Sequence, residues 1–157
     1  MNTTTAQEIA ALMRRDIGRL RKEIEAFAGD DARLWATLPG VTNPAGNLAL
    51  HLEGNLREFV GRQLGGIAYV RTRPLEFSTK DLPASDIIAR IASIETAIPQ
   101  VVAGLTEENL AATYPENVMG EPMSTRQFLI HVHGHLTYHL GQINYLRRMT
   151  ENRADPA

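Results

Sequence analysis

The chain has no cysteine among its 157 residues, and this absence restricts the sites that it can build. Neither a disulfide nor a thiolate ligand for a metal ion is available. Any metal ion must therefore be held by histidine, carboxylate or water ligands. The sequence contains five histidines, and their positions carry most of the functional argument.

The sequence also lacks an excess of charge of one sign and any long apolar run. Its formal net charge is −2, with 16 basic and 18 acidic residues, so we expect no nucleic-acid partner. No apolar segment approaches the length that spans a bilayer, and the first ten residues do not resemble a signal peptide. We expect a cytoplasmic protein without a membrane partner, folded as one domain over residues 1–157 with a polar, frayed tail from about residue 150.

Four segments carry apolar residues at the spacing of amphipathic helices, and nothing indicates a strand. The pattern predicts helices over about residues 5–27, 43–64, 85–105 and 124–149, and a loop over 68–83. These elements indicate an all-α four-helix bundle, and the sequence pattern leaves the order of the helices open. The predicted buried positions are Ile9, Leu12, Met13, Ile17, Leu20, Ile24 and Phe27 in the first helix, Leu48, Leu52, Leu56 and Phe59 in the second, and Ile87, Ile91, Ile94, Ile98, Val101 and Leu105 in the third.

Local signals indicate where the predicted helices begin and end. Asn43 is the expected N-cap of the second helix, with Pro44 as its first residue, and Gly65-Gly66 is its stop signal. Ser124, followed by Gln127 three residues later, forms a capping box that opens the fourth helix. Pro99 inside the third helix should kink it or remove one backbone hydrogen bond.

Four of the five histidines lie in the fourth predicted helix. His131, His135 and His139 are spaced i, i+4, i+8 and share one stripe, whereas His133 points elsewhere and is interpreted as an ordinary hydrogen-bonded polar residue. Two imidazoles one turn apart can bind one metal ion, so the pair His135 and His139 is a stronger candidate than a lone histidine such as His133. A third histidine ligand must come from another helix, where His51 is the remaining one. An accidental cluster is the alternative.

Polar residues near the histidines are candidates for catalytic roles. Asn55, Glu58 and Arg62 share a stripe with His51 that either faces solvent or lines a cavity. Glu58 could accept a proton, support a ligand or be a surface residue. Asn55 and Gln142 could each hydrogen-bond a bound molecule, and Gln142 could instead bridge two helices.

Several familiar enzyme motifs are absent. His135 is followed by Leu136, so the zincin motif HExxH does not occur. No histidine has Glu three residues before it, which excludes the Glu-x-x-His motif of di-iron bundles. No glycine-rich phosphate loop is present, and nothing points to a particular serine as a nucleophile.

The histidine segments resemble the DinB-like superfamily. The resemblance rests on His131-Val-x-x-His135-x-x-Tyr-His139-x-Gly141-Gln142, preceded by His51-Leu-x-Gly54-Asn-Leu-Arg-x-Phe59. It implies a DinB/YfiT-like four-helix bundle in up-down-down-up order that forms a homodimer. It also implies a divalent metal ion, zinc or nickel, bound by His51, His135 and His139, with His131 at a frequent but non-ligating position.

The resemblance also implies a class of reaction. The family includes S-transferases that use bacillithiol or mycothiol, and a mycothiol-dependent isomerase. We therefore expect a metal-dependent enzyme that acts on a small-molecule substrate, most directly a thiol-dependent S-transferase that uses a low-molecular-weight thiol. The alternatives are a metal-binding dimeric bundle without catalysis, with an interaction or stress-related role, and a metal-dependent hydrolase. Leu140 stands where many relatives carry Arg, so any role of that Arg is absent here.

Overall fold

The computed structural model describes residues 3–151, and in this range the protein is built from helices, turns and one isolated β-bridge. The seven helices are α1 (Thr5–Glu25), α2 (Asp31–Leu34), α3, α4 (Arg73–Ser78), α5 (Ala84–Ala103), α6 (Glu107–Ala111) and α7 (Thr125–Glu151). Helix α3 is an α-helix over Ala45–Leu56, a π-helix over Arg57–Arg62 and an α-helix again over Gln63–Gly65. In the described part of the chain, none of these helices has the length and apolar character needed to cross a bilayer.

The four long helices are those that the sequence predicts, and their ends differ from the predictions by a few residues. Helix α3 begins at Ala45 with Pro44 in the cap position, so the expected N-cap at Asn43 is wrong by one residue. It ends as predicted, because Gly66 adopts the left-handed conformation with φ of 63°. Of the predicted tail, residues 150 and 151 still belong to α7, and 152–157 lie outside the described residues.

The segment predicted as a loop over residues 68–83 contains helix α4, and that prediction is therefore wrong in part. Pro74 lies in the first turn of α4, where its missing N–H removes no helical hydrogen bond. Six residues are too few to show an amphipathic period, which is why the pattern did not reveal this helix. Pro99 does not end α5, which continues to Ala103.

The core lies between α1, α3, α5 and α7. The predicted apolar positions of α1 are buried with one exception, Leu12, which is 39% exposed. In α5 the seam Ile87, Ile91, Ile94 and Ile98 is at most 1% exposed. The core residues contributed by α7 are Phe128, Leu129, Val132, Leu136, Ile143 and Leu146.

Helices α1 and α3 lie across the bundle from each other, as do α5 and α7, whereas α3 and α5 are in contact. Helix α1 packs mainly on α5 and α7, and α3 packs on the same two helices. Helices α1 and α7 run in the same direction, because Asp16 meets His133 while Glu23 meets Asn144 further along both helices. The long connection between α1 and α3 is needed because it crosses the bundle.

The direction of α3 relative to α7 follows from two pairs of contacting rings, one of imidazoles and one of phenyl groups. His51 contacts His135, whereas Phe59, two turns later, packs against Phe128, which comes before His135. Helix α3 is therefore antiparallel to α7. A side chain placed at Gly61 would meet Ile98 of α5, and one at Gly65 would meet Val101, so α3 and α5 are parallel.

A buried carboxylate joins α1 to α7. Asp16 is 0% exposed and accepts hydrogen bonds from Arg15, Arg19 and His133, whose Nε2 lies 2.8 Å from Oδ2. Burial alone would raise the pKa of Asp16, but the bonds from Arg15 and His133 outweigh it and lower the pKa to about 2. His133 is thus a structural hydrogen-bond partner, as the sequence indicated.

Replacing Asp16 with asparagine should lower the free energy of unfolding by about 2 kcal/mol at neutral pH, because the depressed pKa of the carboxyl group stabilises the fold. This contribution is complete above pH ~4, which is the pKa of aspartate in the unfolded chain, and it disappears as the pH falls to about 2, the pKa in the folded protein. Urea denaturation across this range measures it. Glu121→Gln, at an exposed loop position, is the control and should change stability by less than about 0.5 kcal/mol. Equal pH profiles for wild type and D16N would contradict the assignment.

Candidate metal centre

Helices α3 and α7 bring three histidines together. His51 comes from α3, and His135 and His139 come from successive turns of α7. The Nε2 atoms of His51 and His135 are 3.1 Å apart, and one nitrogen from each of the three rings lies within 4.8 Å of the others. The antiparallel packing of the two helices therefore supplies the third ring that α7 alone lacks.

The ring nitrogen of His51 that does not contact His135 is held by a buried carboxylate. Its Nδ1 lies 2.8 Å from Oε2 of Glu76, which belongs to α4. Arg71 donates two hydrogen bonds to the same carboxylate, at 2.7 and 3.0 Å. Burial of Glu76 opposes ionisation, but the bonds from His51 and Arg71 lower its pKa, so the carboxylate is charged and accepts. His51 Nδ1 must then carry the hydrogen, which leaves Nε2 with its lone pair toward the other histidines.

A glycine makes room for this carboxylate. A Cβ atom on Gly54 would lie 2.2 Å from Oε1 of Glu76, closer than any van der Waals contact allows. Gly54 follows His51 by three residues on the same helix, so the bare backbone lets α4 approach the ring. Glu76 reaches His51 because residue 54 has no side chain.

The two rings of α7 are held differently. His139 Nδ1 lies 2.6 Å from Oε1 of Gln142, so this nitrogen donates and Nε2 keeps its lone pair. His135 Nδ1 is buried and has no hydrogen-bond partner within residues 3–151. Burial and, to a smaller extent, the neighbouring histidines lower the pKa of His135 to about 4. Burial likewise lowers the pKa of His139, so both rings are neutral at pH 7.

The donor set fits a divalent metal ion with nitrogen ligands. Two lone pairs that face each other repel unless a proton or a cation lies between them. A separation of 3.1 Å between Nε2 of His51 and of His135 fits two nitrogens, each about 2.0–2.1 Å from one ion, at an angle near 100°. A carboxylate behind one imidazole is the usual outer partner of a metal-bound histidine.

Cavities open on both sides of the three histidines. The first, of about 310 Å³, is lined by His51, Asn55, Phe59, Arg71, Arg73, Val118, Phe128, His131, Val132 and His135. The second, of about 470 Å³, lies beside His139 and Gln142 and has Leu48, Tyr138, Tyr145 and Met149 in its wall. A ligand of the centre can thus approach from a cationic side or from an aromatic side.

The structure places the other predicted site residues at different distances from this centre. Asn55 lines the first cavity, and its buried Oδ1 has no hydrogen-bond partner in the described chain. Gln142 contacts His139 directly. Glu58 pairs with Arg62 and lines an adjoining cavity that contains none of the three histidines. Their predicted catalytic roles stay predictions.

Sequence reasoning missed the residues that support His51. Glu76 and Arg71 lie 25 and 20 positions after it, in the stretch that was predicted as loop. Phe77, whose ring centre is 5.0 Å from that of His51, belongs to the same stretch. No helical period connects these residues to α3, because the chain must turn at Gly66 before α4 returns to it.

Replacing Glu76 with glutamine should weaken zinc binding about 10- to 100-fold, the usual effect of losing an outer partner of a histidine ligand. The amide keeps the size of the carboxylate but removes the charge that orients His51. Competition with a chromophoric chelator measures the affinity. The control is Glu95→Gln, which removes a carboxylate bound to Arg21 on the α1–α5 interface. Equal zinc affinity in E76Q and E95Q would contradict the role given to Glu76.

Comparison with known proteins adds to this geometry. A sequence model of the DinB superfamily matches residues 13–143. The crystal structure of a DinB-like protein from Bacillus cereus ATCC 10987 superposes with a TM-score of 0.66 at 18% sequence identity, over 87% of this chain and 86% of that one. At this identity the similarity demonstrates the fold alone. No curated protein matches the sequence.

Proposed function

The chain belongs to the DinB superfamily, and from this membership we propose that it is a metal-dependent enzyme, a thiol-dependent S-transferase that binds zinc or nickel through His51, His135 and His139. The observation that carries the proposal is the three-histidine cluster in the wall of a cavity. Three protein ligands leave a coordination position free for an exogenous group, as in catalytic rather than structural zinc sites.

The bound ion supplies positive charge that favours the ionised form of a thiol or of water. In the proposed reaction the thiol loses its proton to solvent, its sulfur forms a bond to an electrophilic carbon, and the leaving group departs with the bonding electron pair. Glu76 and Gln142 hold the rings of His51 and His139 so that their free nitrogens converge. Asn55 lines the cavity, and in this proposal it hydrogen-bonds the substrate.

A transfer assay tests the proposal. Metal-loaded protein is mixed with a panel of low-molecular-weight thiols and 1-chloro-2,4-dinitrobenzene, and formation of the thioether is followed by absorbance. We expect activity with at least one thiol, its loss after chelation and its return after zinc or nickel is added back. H133A, which alters a histidine outside the cluster, should keep the activity. Unchanged activity after complete metal removal would exclude the mechanism.

The predicted homodimer belongs to the same proposal. Helix α7 exposes Tyr138 and Tyr145, each 65% exposed, and Met149, 54% exposed, which together supply an apolar surface for a second copy. Light scattering should give twice the chain mass of 17.4 kDa. A mass equal to one chain at micromolar concentration would contradict this part of the proposal.

A further inference from the structure

Among residues 3–151, those that line the cavity beside His51 and His135 include positively charged side chains and no carboxylate. Its polar walls are formed by two arginines, three histidines and one asparagine: Arg71, Arg73, His51, His131, His135 and Asn55. The rest of the wall is apolar, with Phe59, Phe128, Val118 and Val132. A volume of about 310 Å³ suits a small molecule.

The two arginines of this cavity differ in what they bind. Arg71 is committed to Glu76 through two hydrogen bonds. Arg73 stacks over Phe77 at 5.2 Å and forms no ion pair with any carboxylate in residues 3–151. Its guanidinium group therefore keeps all its donors for another partner.

Acidic groups near Arg73 are already paired. The adjoining cavity, which shares Arg71 and Arg73 with the first, also contains Glu58 and Glu116. Arg62 holds both of these carboxylates. Arg73 is thus the cation on this side of the centre whose charge no described contact balances.

Two further groups favour an anion at the same place. Asn55 lines the cavity, its buried Oδ1 has no partner in the described chain, and the NH₂ group of the same amide is a donor for an oxygen of a bound molecule. Three neutral imidazoles would leave the charge of a divalent ion uncompensated, which adds to the attraction of an anion. Arginine commonly binds a carboxylate through two parallel hydrogen bonds.

We propose that this cavity binds the carboxylate group of the thiol or of its co-substrate through Arg73, with Asn55 as a second donor. The inference rests on the proposed function in placing that carboxylate beside a metal-bound sulfur. It makes Arg73 a determinant of substrate choice and gives the substrate class as small carboxylic acids.

Two thiols that differ in one group test the proposal. The probes are 3-mercaptopropionate and its uncharged amide, titrated into cobalt-loaded protein, where the absorption band between sulfur and cobalt reports binding. We expect the carboxylate to bind about tenfold more tightly than the amide, the effect of one charged hydrogen-bonded contact. In Arg73→Gln this preference should fall to near one.

The matched control is Arg148→Gln. Arg148 also stacks on an aromatic ring, that of Tyr145, at 5.8 Å, and it does not line the cavity. R148Q should keep the tenfold preference. A preference that persists in R73Q would overturn the inference, because the carboxylate would then be binding the metal directly.

A second arm separates this inference from the proposed function. Metal-free protein is mixed with 3-mercaptopropionate, and saturation-transfer NMR detects binding, which should weaken about tenfold in R73Q and stay unchanged in R148Q. If cobalt produces no sulfur band but this arm behaves as expected, the thiol mechanism fails and the carboxylate site stands. If the band forms and neither arm depends on Arg73, the carboxylate site fails alone.

Discussion

Replacing His135 with alanine is expected to weaken zinc and nickel binding by more than about 100-fold. This loss exceeds the loss of about 10- to 100-fold expected when a residue that supports a ligand, such as Glu76, is replaced. His135 contacts both of the other rings, with its Nε2 3.1 Å from that of His51 and its ring centre 4.6 Å from that of His139. Its removal leaves only two of the three nitrogen ligands, on different helices. Competition with a chromophoric chelator measures the change.

His133→Ala is the matched control for this experiment, because His133 lies two residues away on the same helix and bonds Asp16 instead. It should keep its metal affinity while losing some stability. Comparable metal affinity in H135A and wild type would show that the cluster is a group of hydrogen-bonded side chains. A comparable loss in H133A and H135A would instead indicate a general effect on α7.

Replacing Phe128 with alanine should lower the free energy of unfolding by about 3–5 kcal/mol, as for other large buried aromatic residues. Phe128 is 1% exposed, stacks on Tyr114 at 3.7 Å between ring centres and meets the edge of Phe59 at 5.7 Å. The alanine leaves a cavity at the point where α3 and α7 meet. Urea denaturation of metal-free protein measures the loss.

The control is Ile130→Ala, two residues further along α7, where the side chain is 60% exposed. It should change the free energy of unfolding by less than about 0.5 kcal/mol. If F128A cost no more than I130A, the packing of α7 against α3 would differ from the one described.

The four long helices and the pair His135 and His139 could be predicted because both follow from local spacing, whereas His51 was predicted as the remaining histidine and from the family resemblance. Amphipathic periods fix which side of each helix is buried, and Ile87, Ile91, Ile94 and Ile98 bear this out. Leu12 fits the apolar period of α1 but is 39% exposed. The neighbouring helices therefore cover only part of the apolar side of α1. Spacing reports which side of a helix is apolar, and neighbours decide how much of it is covered.

The surroundings of the centre could not be predicted, because they come from segments distant in sequence. Glu76 reaches His51 only when α4 folds back over α3, and Gly54 permits the approach by lacking a side chain. Neither residue carries a local signal for this contact. The cavity arginine Arg73 lies in the same returning segment.

The apolar pattern of the sequence also did not predict the π-helical turn in α3. The turn covers Arg57–Arg62, directly after the helical segment that carries His51 and Asn55. Such turns are often found next to functional sites. Tyr114 donates a hydrogen bond to the carbonyl oxygen of Phe59 inside the turn, a contact made across 55 residues.

The most direct test of the central claim is metal content by elemental mass spectrometry. Tag-free wild-type protein, incubated with zinc or nickel and then desalted, is measured beside H51A, which removes the ligand contributed by α3. The account predicts close to one ion per chain in wild type and almost none in H51A. Wild-type protein without metal after both incubations would contradict it, and the three histidines would then be only a hydrogen-bonded group between two helices.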